Sequence, residues 1–394
     1  MIDFRNPYTP GAGVMPRYLA GRSHLLNEAN KKLQAVKAGY PARSVTYYGL
    51  RGVGKTVVLN AIEEQAEALN LLFRHIEVQE RKGFVRALSL ACTAFALNLS
   101  AKESIKSKVS KLASIIASFS ATWNPEDNTL SFGLNGDPLE STAGTGDLST
   151  DLTELLVALG KYARDAQTAI CFCLDELQYA TEDELEALIT ALHRTNQLGL
   201  PILLFCAGLP KLRKTMGDTK SYSERLFEFI EVDSLTRTEA EDAICKPAKA
   251  LHISYSSDAI GRIISFTEGY PYFIQEMCST IWEIGTPSQA IDAELVERCI
   301  TPTNEKLDSG FFSVRYDRCT PREQDFMVAM VRCGELPCTI ANVASIMHST
   351  SQSIGPLRAK LISKGLIYAM GRGEVDFTVP QFDDFIRRVR KLDD

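Results

Sequence analysis

The most chemically specific run in the chain is Gly49-Leu50-Arg51-Gly52-Val53-Gly54-Lys55-Thr56, which satisfies G-x-x-x-x-G-K-[ST] in full. A short β-branched and aromatic run precedes it and an amphipathic helical pattern follows it, so the glycines fall where a strand must turn into a helix. Glycine lets that turn fold tightly enough for its N–H groups, helped by the helix N-terminus, to converge on phosphate oxygens. The candidate phosphate-binding set is therefore Gly49, Arg51, Gly52, Val53, Gly54, Lys55, Thr56 and Val57. Lys55 can reach the terminal phosphates, and the Thr56 hydroxyl can ligate Mg²⁺. A plain strand-to-helix turn is the other reading of such a loop.

A second run, Ala169-Ile170-Cys171-Phe172-Cys173-Leu174, is followed directly by Asp175 and Glu176, one strand further into the expected sheet. Two acids closing an apolar strand are poor core and good metal chemistry. Asp175 is placed to hold Mg²⁺ through water, and Glu176 to polarise the water that attacks a γ-phosphorus. Thr56 and Asp175 are thus the candidate metal ligands, Lys55 and Glu176 the candidate catalytic residues.

The elements that must position these residues alternate. Short apolar runs at 45–48, 71–78, 169–174 and 201–206 are interleaved with helical patterns at 55–69 and 83–99, which implies an α/β fold with a parallel sheet covered on both faces. Residues 1–44 read as a lead-in, broken by Pro7, Pro10, Gly11, Gly13 and Pro16 before a helix over 23–37. The stretch around 100–149 reads as an insertion: a helix decorated by Lys102, Lys106, Lys108 and Lys111 on a solvated face, then a short strand through Leu130, Phe132 and Leu134. A helix capped by Ser149 or Thr150 returns the chain to the sheet. After a last strand at 227–232, residues 235–300 read as helices only. From about Pro321 three helices at 322–331, 340–348 and 351–364 and a hairpin over 366–379 have the winged-helix layout. The expected domains are 1–44, a core over 45–234, a helical lid over 235–312 and a winged helix over 313–394.

Composition narrows the function classes. Over 394 residues, 45% are hydrophobic, 23% are charged, and 25 glycines and 16 prolines are present, which excludes wholesale disorder and fibrous repeats. A net charge of −6 means that affinity for nucleic acid or an anionic membrane must come from a local patch. No apolar run approaches the roughly 20 residues that span a bilayer, and the amino-terminal residues lack a secretion signal's layout. A soluble, cytoplasmic protein with no membrane partner is expected. Ten cysteines without a CxxC pair read as buried, reduced thiols, and five scattered histidines show no zinc-ligand spacing.

The phosphate loop, the strand ending Asp175-Glu176-Leu177-Gln178, the strand ending Cys206-Ala207-Gly208-Leu209-Pro210 and the helical segment that follows resemble an AAA+ P-loop ATPase. The similarity is strongest to the bacterial and archaeal origin-recognition-like group, grading into STAND-type switches. Asn6-Pro7-Tyr8-Thr9-Pro10-Gly11, Leu19-Ala20-Gly21-Arg22, Tyr222-Ser223-Glu224-Arg225-Leu226-Phe227, Glu268-Gly269-Tyr270-Pro271-Tyr272-Phe273, and Phe311-Phe312 leading to Arg315 and Arg318 extend the likeness over nearly the whole chain. The resemblance implies ATP and Mg²⁺ as cofactors and an adenine-pocket loop at Gly21 and Arg22. It also implies an arginine, Arg225, that reaches a neighbouring subunit's γ-phosphate in a nucleotide-dependent homo-oligomer. An exposed turn and a surface salt-bridge arginine are the respective alternatives. Two departures matter. Cys206, Ala207 and Gly208 stand where a polar sensor is usual, and Gly269-Tyr270-Pro271-Tyr272 stands where a second sensor arginine is usual. Tyr270 and Pro271 join the candidate nucleotide contacts, and slow hydrolysis suited to switching is expected.

In the C-terminal unit Arg358, Lys360, Lys364 and Arg372 are the candidate contacts to double-stranded DNA. From Arg318 onward 11 basic side chains face 9 acidic ones, a mild lean toward DNA. Two functions stay open: an ATP-dependent switch that controls a DNA-contacting winged helix, and a STAND-like adaptor, in anti-phage defence or mobile-element regulation, whose winged helix grips a separate effector protein.

Overall fold

The computed structural model describes residues 6–79, 83–100, 109–123, 143–285, 290–371 and 373–392. The expectations about Lys102, Lys106 and Lys108, the strand at 130–134 and Arg372 lie outside the described residues. The chain divides into two compact units: Arg22–Gly49 with Lys55–Val232, and Met1–Gly21 with Leu50–Gly54 and Asp233–Asp394.

The first unit runs α1 (Ser23–Lys37), β1 (Ser44–Tyr48), α2 (Lys55–Ala68), β2 (Leu72–Glu77), α3 (Phe84–Ser100), α4 (Val109–Trp123), α5 (Leu148–Asp165), β3 (Ile170–Asp175), α6 (Glu182–Gln197), β4 (Ile202–Gly208), α7 (Lys211–Thr219), α8 (Ser223–Leu226) and β5 (Phe227–Glu231). The strands form one sheet in the order β2-β3-β4-β1-β5, every neighbouring pair parallel. β3 and β4 are buried at every residue, which is why their runs of Ile, Leu, Phe and Cys show no polar alternation. Tyr48 lies opposite Gly208, and Leu174 opposite Cys206, so β1, β3 and β4 end together at one edge of the sheet. Open parallel sheets bind ligands at that carboxyl edge.

Two details correct the reading from sequence. Asp147, not Ser149 or Thr150, caps α5, its carboxylate accepting the Thr150 N–H at 2.8 Å. A carboxylate one residue ahead of Leu148 reaches that third amide without unwinding the first turn. The described part of the supposed insertion, α4, belongs to the core: Leu112, Ile116 and Phe119 are buried with residues of α3 and α5, while Lys111, Ala121 and Thr122 are exposed. The fully buried Asp151 ties this segment in, accepting from Trp123 Nε1 at 2.9 Å, Thr145 Oγ1 at 2.7 Å and the Gly146 amide at 3.2 Å. A charge removed from water survives in a core only when so fully paired.

In the second unit α9 (Arg237–Lys249), β6 (Ser254–Tyr255), α10 (Ser257–Thr267), α11 (Pro271–Gly285), β7 (Ala290–Ile291) and α12 (Ala293–Leu307) come first. A π-helical turn, Asp308–Phe312, leads to α13 (Ser313–Tyr316), α14 (Pro321–Arg332), β8 (Cys338–Thr339), α15 (Ile340–Ile346), α16 (Ser351–Ser363), β9 (Ile367–Gly371), β10 (Glu374–Phe377) and α17 (Phe382–Arg390). The expectation of helices alone over 235–300 misses the parallel pair β6 and β7. The extended residues that lead into α10 and α12 lie side by side there, the Ser256 amide donating to Ile291 O at 2.9 Å. Two residues are too few for a period-2 pattern to register.

Thr320 with Glu323, and Thr350 with Ser353, form reciprocal caps that start α14 and α16. β8, β10 and β9 make a three-stranded antiparallel sheet in that order. A run of aromatic contacts binds the unit together. Ring centroids of Tyr270 and Phe273 lie 4.9 Å apart, Phe311 and Phe312 5.2 Å, and Phe312 and Phe385 5.3 Å. All ten cysteines are unpaired and eight are buried, where burial pushes thiols such as Cys92 and Cys206 well above their usual range. Among the described residues no helix is long and apolar enough to cross a membrane.

Candidate phosphate-binding site

In the sheet unit the carboxyl edge gathers the predicted acids and the end of the loop. Thr56 Oγ1, in the first turn of α2, donates to Asp175 Oδ2 at 2.6 Å, and Asp175 is only 3% exposed. Lys55 is buried, its Nζ donating to Gly49 O at 3.0 Å, so the ammonium curls back over the loop it belongs to. Val57 turns its side chain into the core, which leaves its amide as its only relevance to a ligand. The Thr56 hydroxyl and Asp175 carboxylate are hard oxygen donors within one hydrogen bond of each other, a set that fits Mg²⁺.

Glu176, half-buried, follows in the left-handed region at φ +52°, with its amide donating to Asp175 Oδ1 at 2.8 Å. The buried Gln178 donates from Nε2 to Glu176 Oε2 while its Oε1 accepts the Leu209 amide at 3.0 Å. It therefore fastens the Glu176 carboxylate to the chain leaving β4. Sequence reasoning found no polar side chain at that strand's end, and none is there. The polar contact comes from the turn after β3 instead. Gln178 sits two residues beyond the acids, but nothing in its spacing marks it as facing β4.

In the second unit the loop residues 50–54 meet a different set of neighbours. Gly52 has φ +83° and Gly54 φ +94°. A Cβ on Gly52 would lie 2.9 Å from Tyr270 Cε1, whereas one on Gly54 would meet nothing within 4 Å. The open side of Gly54 is the room that a close phosphate needs. The Arg51 amide donates to Thr378 O at 3.3 Å. Tyr270 is buried, and Pro271 opens α11. Burial chiefly raises the Tyr270 pKa, with Asp233 adding and the cations Arg315 and Arg51 opposing. Gly21 rests against Leu235 and Glu239 in the same unit, while the next residue, Arg22, is buried at the start of α1 in the other.

The remaining candidates scatter. Arg225 is exposed on α8 and makes no ion pair among the described residues. On α16 Lys360 is exposed and Arg358 half-buried, its Nε without a partner. Lys364 is corrected: its Nζ donates to Glu323 Oε2 at 2.6 Å and to Arg318 O at 3.1 Å, so it holds the fold and is no free phosphate contact. Of the cations on α17, Arg388 pairs with Asp308 at 2.6 Å and Arg390 bonds Tyr316 and Gln324.

A five-stranded parallel sheet with a glycine-rich loop after β1 and paired acids after β3 is an AAA+-type P-loop NTPase fold. Residues 18–205 match the family described as AAA ATPase domain, which implies nucleotide binding. Residues 309–386 match a domain of unknown function, DUF8462. Among solved structures, a Walker-type ATPase of Pyrococcus abyssi aligns over 96% of this chain and 99% of its own with TM-score 0.53 and 13% identity. Orc1 of Aeropyrum pernix in complex with DNA aligns over 96% and 95% at TM-score 0.47 and 15% identity. RuvB of Thermotoga maritima, a Holliday junction branch migration motor, aligns over 94% and 95% at TM-score 0.44 and 14% identity. No curated protein sequence matches.

Proposed function

We propose that the protein is an ATP-binding AAA+ switch with slow Mg²⁺-dependent hydrolysis, whose output is the C-terminal module read as a winged helix. The observation that carries the reading is the 2.6 Å contact between Thr56 and Asp175, beside a carboxylate that Gln178 holds in place. Loop amides and Lys55 bind and orient the phosphates, and Thr56 and Asp175 are the residues that would hold the metal. Bound Mg²⁺ would offset phosphate charge. Glu176 orients the attacking water and accepts its proton. Slow turnover follows from the apolar end of β4, where Cys206, Ala207 and Gly208 supply no donor for charge that develops in the transition state. Arg225 contributes only if a second copy of the chain binds alongside.

The output reading rests on α16 with Arg358 and Lys360, and on Arg372, as contacts to duplex DNA phosphates. A second reading, a protein effector gripped by the same module, is favoured by the internal partners of Lys364 with Glu323, Arg388 with Asp308 and Arg390 with Gln324, which withdraw these three cations from a phosphate backbone. One experiment addresses both levels. Calorimetry with ADP and a non-hydrolysable ATP analogue should show binding that Lys55→Ala abolishes. Glu176→Gln should keep binding while phosphate release falls about a hundredfold or more. Duplex DNA titrated at several salt concentrations should bind more tightly with the analogue than with ADP. Absence of heat sinks the nucleotide reading; DNA affinity indifferent to nucleotide sinks only the output.

A further inference from the structure

One pair of reactive side chains in the second unit has no part in nucleotide chemistry. Cys333 caps the C-terminus of α14, and Cys338 opens β8 on the far side of the loop 334–337. Their side chains are hydrogen-bonded to each other, and Cys333 Sγ also donates to Ala329 O at 3.4 Å. Cys333 is half-buried, whereas Cys338 is 3% exposed. Cys171 and Cys173 also touch, but they stand next-but-one on β3 and are fully enclosed. A strand holds such positions about 6.6 Å apart, and a disulfide needs Cβ atoms about 4 Å apart. No strand lies between Cys333 and Cys338 to hold them apart. β8 is itself fixed to the sheet: Cys338 lies opposite Val375 on β10, Thr339 opposite Glu374, and the Ile340 amide donates to Gly373 O at 2.7 Å. A bond between the two sulfurs would therefore fasten the end of α14 to the three-stranded sheet.

Two thiols held in contact meet each other at a far higher effective concentration than either meets a thiol in solution, so a disulfide between them is favoured over a mixed one. Their surroundings give them different roles. Burial raises the pKa of Cys333, and the hydrogen bond with Cys338 opposes that rise. Cys338 is pushed up to about 12, first by burial, then by the charge of Cys333 and the hydrogen bond with it, with Asp376 adding. The more accessible Cys333 is the attacking sulfur and the enclosed Cys338 the resolving one. We propose that Cys333 and Cys338 form a redox clasp, closing to an intramolecular disulfide by exchange with a small disulfide of the glutathione type and so tying α14 to β8. The Cys333 thiolate attacks one sulfur of the small disulfide, whose S–S bond breaks and expels one small thiolate. The Cys338 thiolate then attacks the Cys333 sulfur, and the mixed S–S bond breaks and expels the second. The protein gives up two protons and two electrons, and the small disulfide leaves as two thiols. Forming the mixed disulfide removes the Cys333 charge that raises Cys338, which favours the second step. The clasp holds whether or not a nucleotide binds.

The test incubates the reduced full chain, without denaturant, with oxidised glutathione, then blocks remaining thiols with N-ethylmaleimide in denaturant and weighs the tryptic peptides. Cleavage after Arg332 and Arg358 places both cysteines, and no others, in the peptide 333–358. That peptide should be two hydrogens lighter and carry neither maleimide nor glutathione, and this form should outnumber the Cys333 mixed disulfide by about tenfold or more. Adding a dithiol reductant before the block should return it to the doubly blocked form. Cys338→Ser should instead trap glutathione on Cys333. Amide hydrogen exchange over 334–340 should slow about tenfold or more when the clasp is closed. A peptide that stays doubly blocked after oxidation, a mixed disulfide that accumulates in the unaltered chain, or exchange equally fast in both forms overturns the clasp. The unaltered chain decides the matter even if the serine variant does not fold.

Discussion

Replacing Gly52 by alanine puts a methyl group where the second unit has no room for one. The backbone at φ +83° already disfavours an L side chain by about 1–2 kcal/mol. The new Cβ also meets Tyr270 Cε1 at 2.9 Å, and Tyr270, 1% exposed and packed on Phe273, cannot swing aside. Overpacking of that kind costs a further ~1–3 kcal/mol. An expected loss of about 2–5 kcal/mol corresponds to a melting temperature lower by roughly 4–20 °C for a unit of this size. Gly54→Ala is the internal control: its φ is +94°, but its Cβ would enter open space, so only the backbone cost of about 1–2 kcal/mol applies. Scanning calorimetry of both variants, repeated in a Tyr270→Ala background, separates the two contributions. In that background the cost of Gly52→Ala should drop to the backbone part alone. If Gly52→Ala is no worse than Gly54→Ala, or costs the same with and without the tyrosine ring, the contact is not what shapes the loop.

Two further outcomes follow from charge pairs. His75 on β2 bonds Glu63 on α2; that bond raises its pKa above 6.5 against the opposing effect of burial, with the charges of Glu63, Asp175 and Glu77 adding. The pair's contribution to stability is therefore complete below about pH 6.5 and lost as pH climbs through the raised folded value, so denaturation series from pH 6 to 9 should show a downward slope that Glu63→Gln removes. Lys364→Met should destabilise the protein by about 1–3 kcal/mol: burial pushes the pKa of Glu323, 2% exposed, upward, and only Lys364 together with the Thr320 hydrogen bonds brings it below the usual value; an unchanged melting temperature would return Lys364 to the surface and to the set of candidate DNA contacts.

How much of this was legible in the sequence differs by element for physical reasons. The loop and the paired acids declare themselves because their chemistry needs particular residue types at fixed spacing, and the structure brings Thr56 and Asp175 within one hydrogen bond. The strands of the parallel sheet were legible as apolar runs because both faces are covered, and their observed ends differ from the expected ones by one or two residues. α4 was not. Its lysine-rich approach suggested a solvated face, while the leucine, isoleucine and phenylalanine positions that bury it against α3 and α5 stand in a run rich in serine and alanine. Gln178 stands inside a longer likeness, yet its use depends on what lies opposite, the Leu209 amide. Tertiary juxtaposition of that sort has no period and no spacing to read.

Residues 50–54 of the phosphate loop pack with the C-terminal residues, and this bears on how a switch would work. The Arg51 amide is occupied by Thr378 O, the residue that follows β10, while the Thr378 amide and hydroxyl are tied in turn to Leu366 O and Gly365 O before β9. On the proposed reading, a nucleotide that recruited the Arg51 amide would have to break that contact and so compete with the C-terminal residues for one donor. The energy at stake is that of a single neutral hydrogen bond, about 0.5–1.5 kcal/mol, enough for roughly a tenfold bias at most. Carrying a two-state protein from mostly closed to mostly open needs about 5.5 kcal/mol of differential affinity. The shared amide therefore cannot be the whole device. The remainder must come from groups that are unsatisfied without ligand and satisfied with it.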